Sequence, residues 1–219
     1  MIVPQDTPKS ARLAAESEST ATESPPAYEP PLFIAPTDIK PANYISLTPR
    51  FNGVKGTFVL DPTLRLPPSM QPHSDKLHLG ISAVMGEVNA VVYVVGSESL
   101  PSGSKTRMEV SSKMGSTKLV LHAPECRAPL TVNVDSRLGE STLLLPRSFR
   151  GPIRLSNTLG EITLSAALRA ATVSFGDRMF VGEWKEEEVK QKVWPGDELV
   201  VNSLLGSIYV GYNDEKTKA

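Results

Sequence analysis

The sequence predicts an all-β protein, in which a β-solenoid-like stack of strand-corner-strand units follows a disordered amino-terminal tail. The first observation is a pattern that occurs six times, with apolar residues at offsets −7, −5 and −1, and again at +2, +4 or +6, from a central residue. The second is that apolar residues alternate on both sides of each centre, as in strands with one buried face. The third is that residues 1–40 contain few large apolar side chains.

The centres of the six copies are predicted to be structural corners. They are Asn52, Gly86, Gly115, Gly139, Gly160 and Gly206. The apolar offsets are odd before each centre and even after it, so a straight strand would bury one half and expose the other. A residue with positive φ reverses this parity, and glycine adopts that conformation without a Cβ penalty, with asparagine the next most tolerant residue. Six unrelated hairpin turns are the alternative interpretation.

The copies can stack in two ways. In a solenoid each copy is a rung on the previous one, whereas in an antiparallel β-sandwich each copy is a hairpin, because positions −5 and +2 keep the same offset sum as −7 and +4. The match at the corner as well as in the strands favours the solenoid. Stacking would align the polar residues at −3 and −4 as a ladder: Ser111, Ser112, Asp135, Ser136, Ser156, Asn157, Asn202 and Ser203.

Residues 1–40 are predicted to be a disordered tail, because their Pro, Ser, Thr, Glu and Ala residues cannot offset the entropy of ordering. Within the tail, Pro25-Pro26-Ala27-Tyr28 has the Pro-Pro-x-Tyr pattern that WW domains bind. The prolines favour a polyproline II shape and the tyrosine fills an aromatic pocket. The predicted partner is a WW-domain protein bound through Pro25, Pro26 and Tyr28. A plain spacer is the alternative.

The repeat domain is expected to cover residues 41–213, with a polar tail at residues 214–219. Between the copies centred on Gly160 and Gly206 the spacing widens. There, Thr172–Trp184 predicts two short strands, and Glu183–Lys192 predicts a charged helix with Glu and Lys spaced i,i+4.

Several motifs resemble an uncharacterised fungal family, a domain of unknown function whose members have no assigned activity. The residues that carry the resemblance are the Ser-x-x-Gly corners and the segments Asn43–Leu47, Val54–Pro62, Leu144–Pro152, Phe180–Trp184 and Gly196–Val201. The resemblance covers about residues 41–213. It implies the repeated β domain, and it makes a proline-rich tail with PPxY-like pieces an expected feature.

The corners of this sequence depart from that family, in which the corner usually reads Asn-Gly. Here Met114, Leu138, Leu159 or Leu205 stands before the glycine, so these corners are more apolar. The repeats are also similar to the β-solenoid domains of bacterial "putative adhesins", which is a likeness of fold and carries no function.

Composition predicts a cytoplasmic protein with no membrane span. The 219 residues carry a net charge of −1, which favours neither nucleic acid nor an anionic membrane. Cys126 is the single cysteine, the beginning of the sequence has no signal-peptide pattern, and no apolar run reaches the roughly 20 residues of a spanning helix.

No motif predicts catalysis, a cofactor or a metal. His73, His78 and His122 lack metal-ligand spacing and are expected at the surface, and Cys126 has no neighbouring histidine that would activate it.

Charged residues are expected to line the corners. Glu87, Glu140 and Glu161 share position +1, and with Lys113 and Arg137 at −2 they are expected to form a solvated ion-pair rim.

The sequence therefore favours a non-enzymatic structural or interaction scaffold with a partner motif in its tail. The alternative is a carbohydrate-binding or carbohydrate-active solenoid, which needs exposed aromatic platforms. The candidates for such a platform are Tyr93, Tyr209, Tyr212, Trp184 and Trp194.

Overall fold

The computed structural model describes residues 33–65, 77–96, 104–176, 178–184 and 194–215. These residues form fourteen strands and one short helix, α1 (Ala166–Ala170). The strands are β1 (Ile45–Leu47), β2 (Val54–Leu60), β3 (Leu77–Met85), β4 (Val88–Val94), β5 (Thr106–Met114), β6 (Thr117–His122), β7 (Leu130–Leu138), β8 (Ser141–Leu145), β9 (Gly151–Leu159), β10 (Ile162–Leu164), β11 (Thr172–Phe175), β12 (Arg178–Val181), β13 (Glu198–Leu205) and β14 (Ile208–Tyr212).

The two strands of each copy lie in two different sheets. The strand before the corner belongs to an eight-stranded sheet of order β1-β3-β5-β7-β13-β9-β12-β11, and the strand after it belongs to a six-stranded sheet of order β10-β14-β8-β6-β4-β2. Equivalent strands of neighbouring copies pair in parallel. The copies are therefore rungs of a stack, which confirms the solenoid-like prediction and excludes the sandwich of antiparallel hairpins.

The strand register confirms the alignment of the repeats. Residues at offset −7 pair across the eight-stranded sheet: Leu79 with Met108, Met108 with Val132, Val132 with Leu199, and Leu199 with Ile153. In the first copy Val54 pairs with Val88, which places Asn52 in the rung position that the other copies give to glycine.

The core lies between the sheets and is built from the alternating apolar positions. In the fourth copy Val132, Val134, Leu143 and Leu145 are all at most 1% exposed. Burying an aliphatic side chain of this size contributes about 1.5–3 kcal/mol. A single rung would leave these side chains exposed above and below it, so the neighbouring rungs on either side complete their burial.

The order of the rungs differs from the order of the chain. Strand β13 pairs with β7 on one side and β9 on the other, and β14 lies between β8 and β10. The copy centred on Gly206 is therefore inserted between the copies of Gly139 and Gly160. The expectation that each copy stacks on the previous one holds for the first four and is wrong for the fifth, which stacks on the sixth copy and not on the fourth.

The wide spacer before the last copy pairs with the fifth copy, at the end of the stack. The two predicted short strands are β11 and β12, and β12 pairs antiparallel with β9. Helix α1 begins after Ser165, whose side chain accepts the backbone N–H of Leu168. No helix in the described part of the chain is long and apolar enough to span a membrane. The predicted helix at Glu183–Lys192 falls mostly outside the described residues.

Residues 33–42 contact the repeat domain. The Phe33 ring centroid lies 6.3 Å from that of Tyr93, and Ala42 forms a parallel bridge with Leu60. The remainder of the predicted tail, including Pro25, Pro26 and Tyr28, lies outside the described residues.

Candidate functional site

Five glycine corners form one edge of the stack, and all five have positive φ. The values are 116° for Gly86, 137° for Gly115, 127° for Gly139, 147° for Gly160 and 129° for Gly206. L-residues with a side chain rarely adopt this region.

The first corner differs from the others. None of the non-glycine residues in the described part has a positive φ, so the expectation that Asn52 adopts one is wrong. The close backbone approach in this copy falls on the next residue, since a Cβ on Gly53 would lie 2.0 Å from the Glu87 carbonyl oxygen. The first copy thus needs its glycine at the following position.

The glycines are also required by the contact between rungs. A Cβ on Gly139 would lie 2.4 Å from the Gly115 carbonyl oxygen, and one on Gly206 would lie 2.1 Å from that of Gly139. The Gly115 N–H donates to the Leu138 carbonyl at 2.9 Å, so consecutive corners are tied directly to one another. No side chain fits between backbones at this distance.

At three of the six corners a serine at −3 donates a hydrogen bond to the corner glycine. The hydroxyls of Ser112, Ser136 and Ser203 donate to the carbonyl oxygens of Gly115, Gly139 and Gly206 at 3.3, 3.5 and 3.4 Å. Residues at −3 pair with one another across the rungs, as do those at −4, so the predicted polar ladder is present as a buried row and an outward row.

Two other hydroxyls beneath the corners lack a partner. Thr117 and Ser141, at position +2, are each 1% exposed, and neither oxygen has a hydrogen-bond partner within the described residues. We predict that Thr117→Val raises the free energy of unfolding by about 1–2 kcal/mol, because it removes an unsatisfied buried group. Val88 occupies this position in the neighbouring rung.

Urea unfolding of Thr117→Val can be compared with that of Thr142→Val on the outer face of the next rung. For Thr142→Val we expect a change below about 0.5 kcal/mol. If Thr117→Val is less stable than the unsubstituted protein, the Thr117 hydroxyl is hydrogen-bonded and the prediction is wrong.

The apolar residues at −1 form an exposed row along this edge, which we call the corner ridge. In stack order its members are Phe51, Met85, Met114, Leu138, Leu205 and Leu159, with exposures of 79, 42, 48, 39, 40 and 61%. Neighbouring members pair in register from Met85 onward. Strands lie about 4.8 Å apart, so the ridge is about 24 Å long.

The corner ridge is exposed because of its place on the strand. Alternation would turn position −1 toward the core, as it turns −7, −5 and −3. Position −1 is the last residue before the chain turns, beyond the outermost core layer, and the described residues leave it exposed. The sequence identified these positions as apolar and did not reveal that they face solvent.

Acidic residues flank the ridge on the side of the six-stranded sheet. In stack order position +1 reads Glu87, Ser116, Glu140, Ser207 and Glu161, all exposed. Insertion of the last copy places Ser207 between Glu140 and Glu161. The carboxylates are therefore two rungs apart, about 10 Å along the stack, which weakens their mutual repulsion.

Basic residues flank the ridge on the side of the eight-stranded sheet. They are Arg50, Lys113 and Arg137 at position −2, and all three are exposed. Within the described residues no ion pair of 4.0 Å or less joins Lys113 or Arg137 to the +1 glutamates, so the predicted ion-pair rim is wrong. The reason is that the ridge separates the two rows.

A buried ion pair, which the sequence analysis missed, joins three rungs. The Arg127 guanidinium contacts both carboxylate oxygens of Asp197, at 2.7 and 2.8 Å, and the two side chains are 3 and 6% exposed. The same carboxylate accepts the backbone N–H groups of Leu130 at 2.8 Å and Arg150 at 2.9 Å. Asp197 thus connects the starts of β7, β13 and β9.

Of the predicted surface histidines, His78 is buried and His122 is half-buried. His78 is 5% exposed because it lies at a register shift in β3, and its Nδ1 accepts the Arg107 N–H at 3.1 Å. His122 is half-buried, its ring stacks on that of Tyr93 at 4.5 Å, and burial lowers its pKa.

The remaining candidate ligands do not form a site within the described residues. His73 lies outside the described residues, and Cys126 is exposed. In the described part of the chain, no three His, Cys, Asp or Glu residues gather as a metal site.

The aromatic residues predicted for a sugar platform do not share one face. Tyr212 is buried at 4% exposure, and Trp194 packs edge-on against Phe180 with centroids 4.9 Å apart. Trp184 is 40% exposed and packs edge-on against Phe175 on the edge hairpin. Tyr93 and Tyr209 are half-buried on the outer face of the six-stranded sheet, so the five candidates are not gathered in one platform.

A family model described as a domain of unknown function, DUF7330, matches residues 43–215. The chain belongs to the DUF7330 family. The match spans all fourteen described strands of this DUF7330 domain, which confirms the expected resemblance to a domain of unknown function. A search of curated proteins found no match to the chain.

A solved structure is similar to this DUF7330 chain at low identity. It is described as "a putative cell adhesion protein from Clostridium sporogenes ATCC 15579", with 13% sequence identity and a TM-score of 0.44, and the alignment covers 78% of this chain and 93% of the other.

Proposed function

We propose that this DUF7330 protein is a non-enzymatic interaction scaffold, in which a rigid β stack presents the corner ridge to a protein partner. The observation that carries the proposal is the continuous exposure of apolar side chains at one position in all six rungs. Single exposed apolar residues are ordinary on protein surfaces, whereas a contiguous apolar row marks an interaction site.

The fold itself does not require the ridge to be apolar. The corner depends on the glycine and on the serine beneath it, and Ser112 and Gly115 make those contacts without the Met114 side chain. A polar residue at −1 would serve the corner equally well. The ridge therefore has a role outside the fold, and protein association is the role that apolar side chains serve.

The proposal of a non-enzymatic role rests on where the charged groups lie. Asp197 and Arg127 are engaged in a structural ion pair, and the +1 glutamates alternate with serines along an exposed edge. Glycoside hydrolysis needs two carboxyl groups on either side of a bound sugar. A single row along an edge does not provide that arrangement.

The amino-terminal tail supplies the second part of the proposed function, a WW-domain ligand at Pro25-Pro26-Ala27-Tyr28. A cytoplasmic location is part of this proposal, because the exposed thiol of Cys126 is preserved best in a reducing compartment.

Site-specific photo-crosslinking in cells tests the proposed role of the ridge. A photoreactive residue replacing Met114 should give covalent adducts with protein, because it lies in the middle of the ridge. The same residue replacing Glu109, which is exposed on the outer face of the same rung, is the matched control. Equal adducts from both positions, or none from position 114, would refute the proposal.

Titration of the full chain against a panel of WW domains tests the role of the tail. We predict binding with a dissociation constant on the order of micromolar or weaker, lost in Tyr28→Ala because the ring supplies most of the buried apolar area. Tyr44→Ala is the control, because Tyr44 is 37% exposed and lies outside the motif. If Tyr28→Ala binds as well as Tyr44→Ala, the motif has no role.

A further inference from the structure

We infer that the partner of the corner ridge is the same ridge on a second copy of this chain, and that the two ridges pair about a two-fold axis parallel to their length. The inference rests on the proposed role of the ridge as an interaction surface, and it names the occupant.

The charges beside the ridge favour a second copy. One flank carries Arg50, Lys113 and Arg137, and the other carries Glu87, Glu140 and Glu161. A complementary partner must present an apolar row with acidic residues on one side and basic residues on the other. The ridge of a second copy has this composition.

Symmetry determines which residues meet. A two-fold axis along the ridge places the basic flank of each copy against the acidic flank of the other, and each rung opposite the same rung of the second copy. Arg137 therefore faces Glu140 of the second copy, and Glu140 faces Arg137 of the second copy. Lys113 then lies one rung, about 5 Å, from that pair. A two-fold axis perpendicular to the ridge would reverse the order of the rungs in the second copy and place Lys113 opposite Arg137 of that copy. Repulsion between these two positive charges disfavours this arrangement.

The charged groups are available for such pairing. Within the described residues, the side chains of Lys113, Arg137, Glu87, Glu140 and Glu161 make no ion pair or hydrogen bond. Pairing across the axis would give Arg137 and Glu140 charged partners and would exclude water from the methionine and leucine side chains between them.

The size of the ridge indicates a weak dimer. A row about 24 Å long and one side chain wide is at the low end of specific interfaces, where association is transient. We therefore expect a dissociation constant on the order of micromolar to tens of micromolar.

Sedimentation velocity of the full chain over a range of concentrations tests the inference. The unsubstituted protein should shift from monomer to dimer. Met114→Glu should weaken the dimer by at least about tenfold, because it places a carboxylate in the apolar row. Val173→Glu is the control and should dimerise normally, because Val173 is exposed to the same degree, 47 against 48%, on edge strand β11.

Charge exchange tests the geometry. Arg137→Glu and Glu140→Arg should each weaken self-association, because each places like charges across the axis. When the two variants are mixed, a heterodimer should form, since both of its charge pairs are then complementary. Failure of the mixture to associate more strongly than either variant alone would overturn the arrangement about an axis parallel to the ridge.

The outcomes separate this inference from the proposed function. A protein that stays monomeric at all concentrations, or a dimer unaffected by Met114→Glu, overturns self-association. If position 114 still cross-links to a different protein, the ridge remains an interaction surface with another occupant. If it cross-links to nothing, the proposed role of the ridge fails as well.

Discussion

Replacing Asp197 by asparagine should lower the free energy of unfolding by about 3–5 kcal/mol, because it leaves the Arg127 guanidinium buried without a counter-charge. The Asp197 carboxylate accepts two hydrogen bonds from Arg127 and one each from the Leu130 and Arg150 backbone N–H groups. An amide has one oxygen, so its nitrogen would face at least one of these donors. Urea unfolding followed by circular dichroism gives the loss directly.

The matched control for this prediction is Asp214→Asn. Asp214 pairs with Arg147, whose side chain is 43% exposed, and loss of such a pair should change stability by less than about 1 kcal/mol. Adding Arg127→Met to Asp197→Asn should recover part of the loss, because the unpaired buried charge is then gone. If Asp197→Asn is no worse than Asp214→Asn, the buried ion pair does not hold the three rungs.

Replacing Gly139 by alanine should lower the free energy of unfolding by about 3 kcal/mol or more. A side chain at a φ of 127° costs roughly 1–3 kcal/mol, and crowding against the Gly115 carbonyl oxygen adds a similar amount. Backbone cannot rotate away as a flexible side chain can, so the two rungs must separate. Thermal unfolding of the variant measures the effect.

Gly176→Ala separates the two contributions. Gly176 also has a positive φ, 63°, but no atom lies within 4 Å of the position its Cβ would take. It should therefore show only the conformational cost, roughly 1–3 kcal/mol or less. Equal losses for both variants would mean that the close approach of the rungs at Gly139 relaxes without cost.

The sequence was sufficient to predict the repeat and its register. Burial at offsets −7 and −5 repeats with the same phase in every copy, and hydrophobic burial is what aligns neighbouring strands. That is why Leu79, Met108 and Val132 could be aligned before any pairing was known and are found as register partners. The positive φ at Gly139 followed from the change of parity alone.

The order of the rungs could not be predicted, because every rung presents the same apolar pattern to its neighbours. A fifth copy would bury its core residues equally well on the fourth copy or on the sixth. The structural difference lies in Asp197, one carboxylate before β13 that joins Leu130 and Arg150. A lone aspartate after Pro195-Gly196 has no sequence signal that distinguishes it from a turn residue.

The solvent exposure of the residues at position −1 also could not be predicted from the sequence. Met114 and Leu138 have the parity of core residues, and only the position of the turn shows that the core ends before them. For His78 the reverse holds: its parity predicted an outward side chain, and the register shift beside Leu79 turns it inward. An irregularity of one residue changes the face of a side chain, and periodicity does not reveal it.

The insertion of the last copy between the fourth and the fifth has a consequence for how the protein is made. During synthesis the first four rungs can assemble as they leave the ribosome, but β9 has only β12 as a neighbour until β13, the second-to-last described strand, has been completed. Until then the fifth copy exposes an apolar face and an unpaired strand edge, which favours aggregation or binding by a chaperone. A premature stop near residue 196 would therefore remove the rung that joins the fourth and fifth copies and leave two unjoined pieces, whereas in a solenoid built in chain order it would only shorten one end.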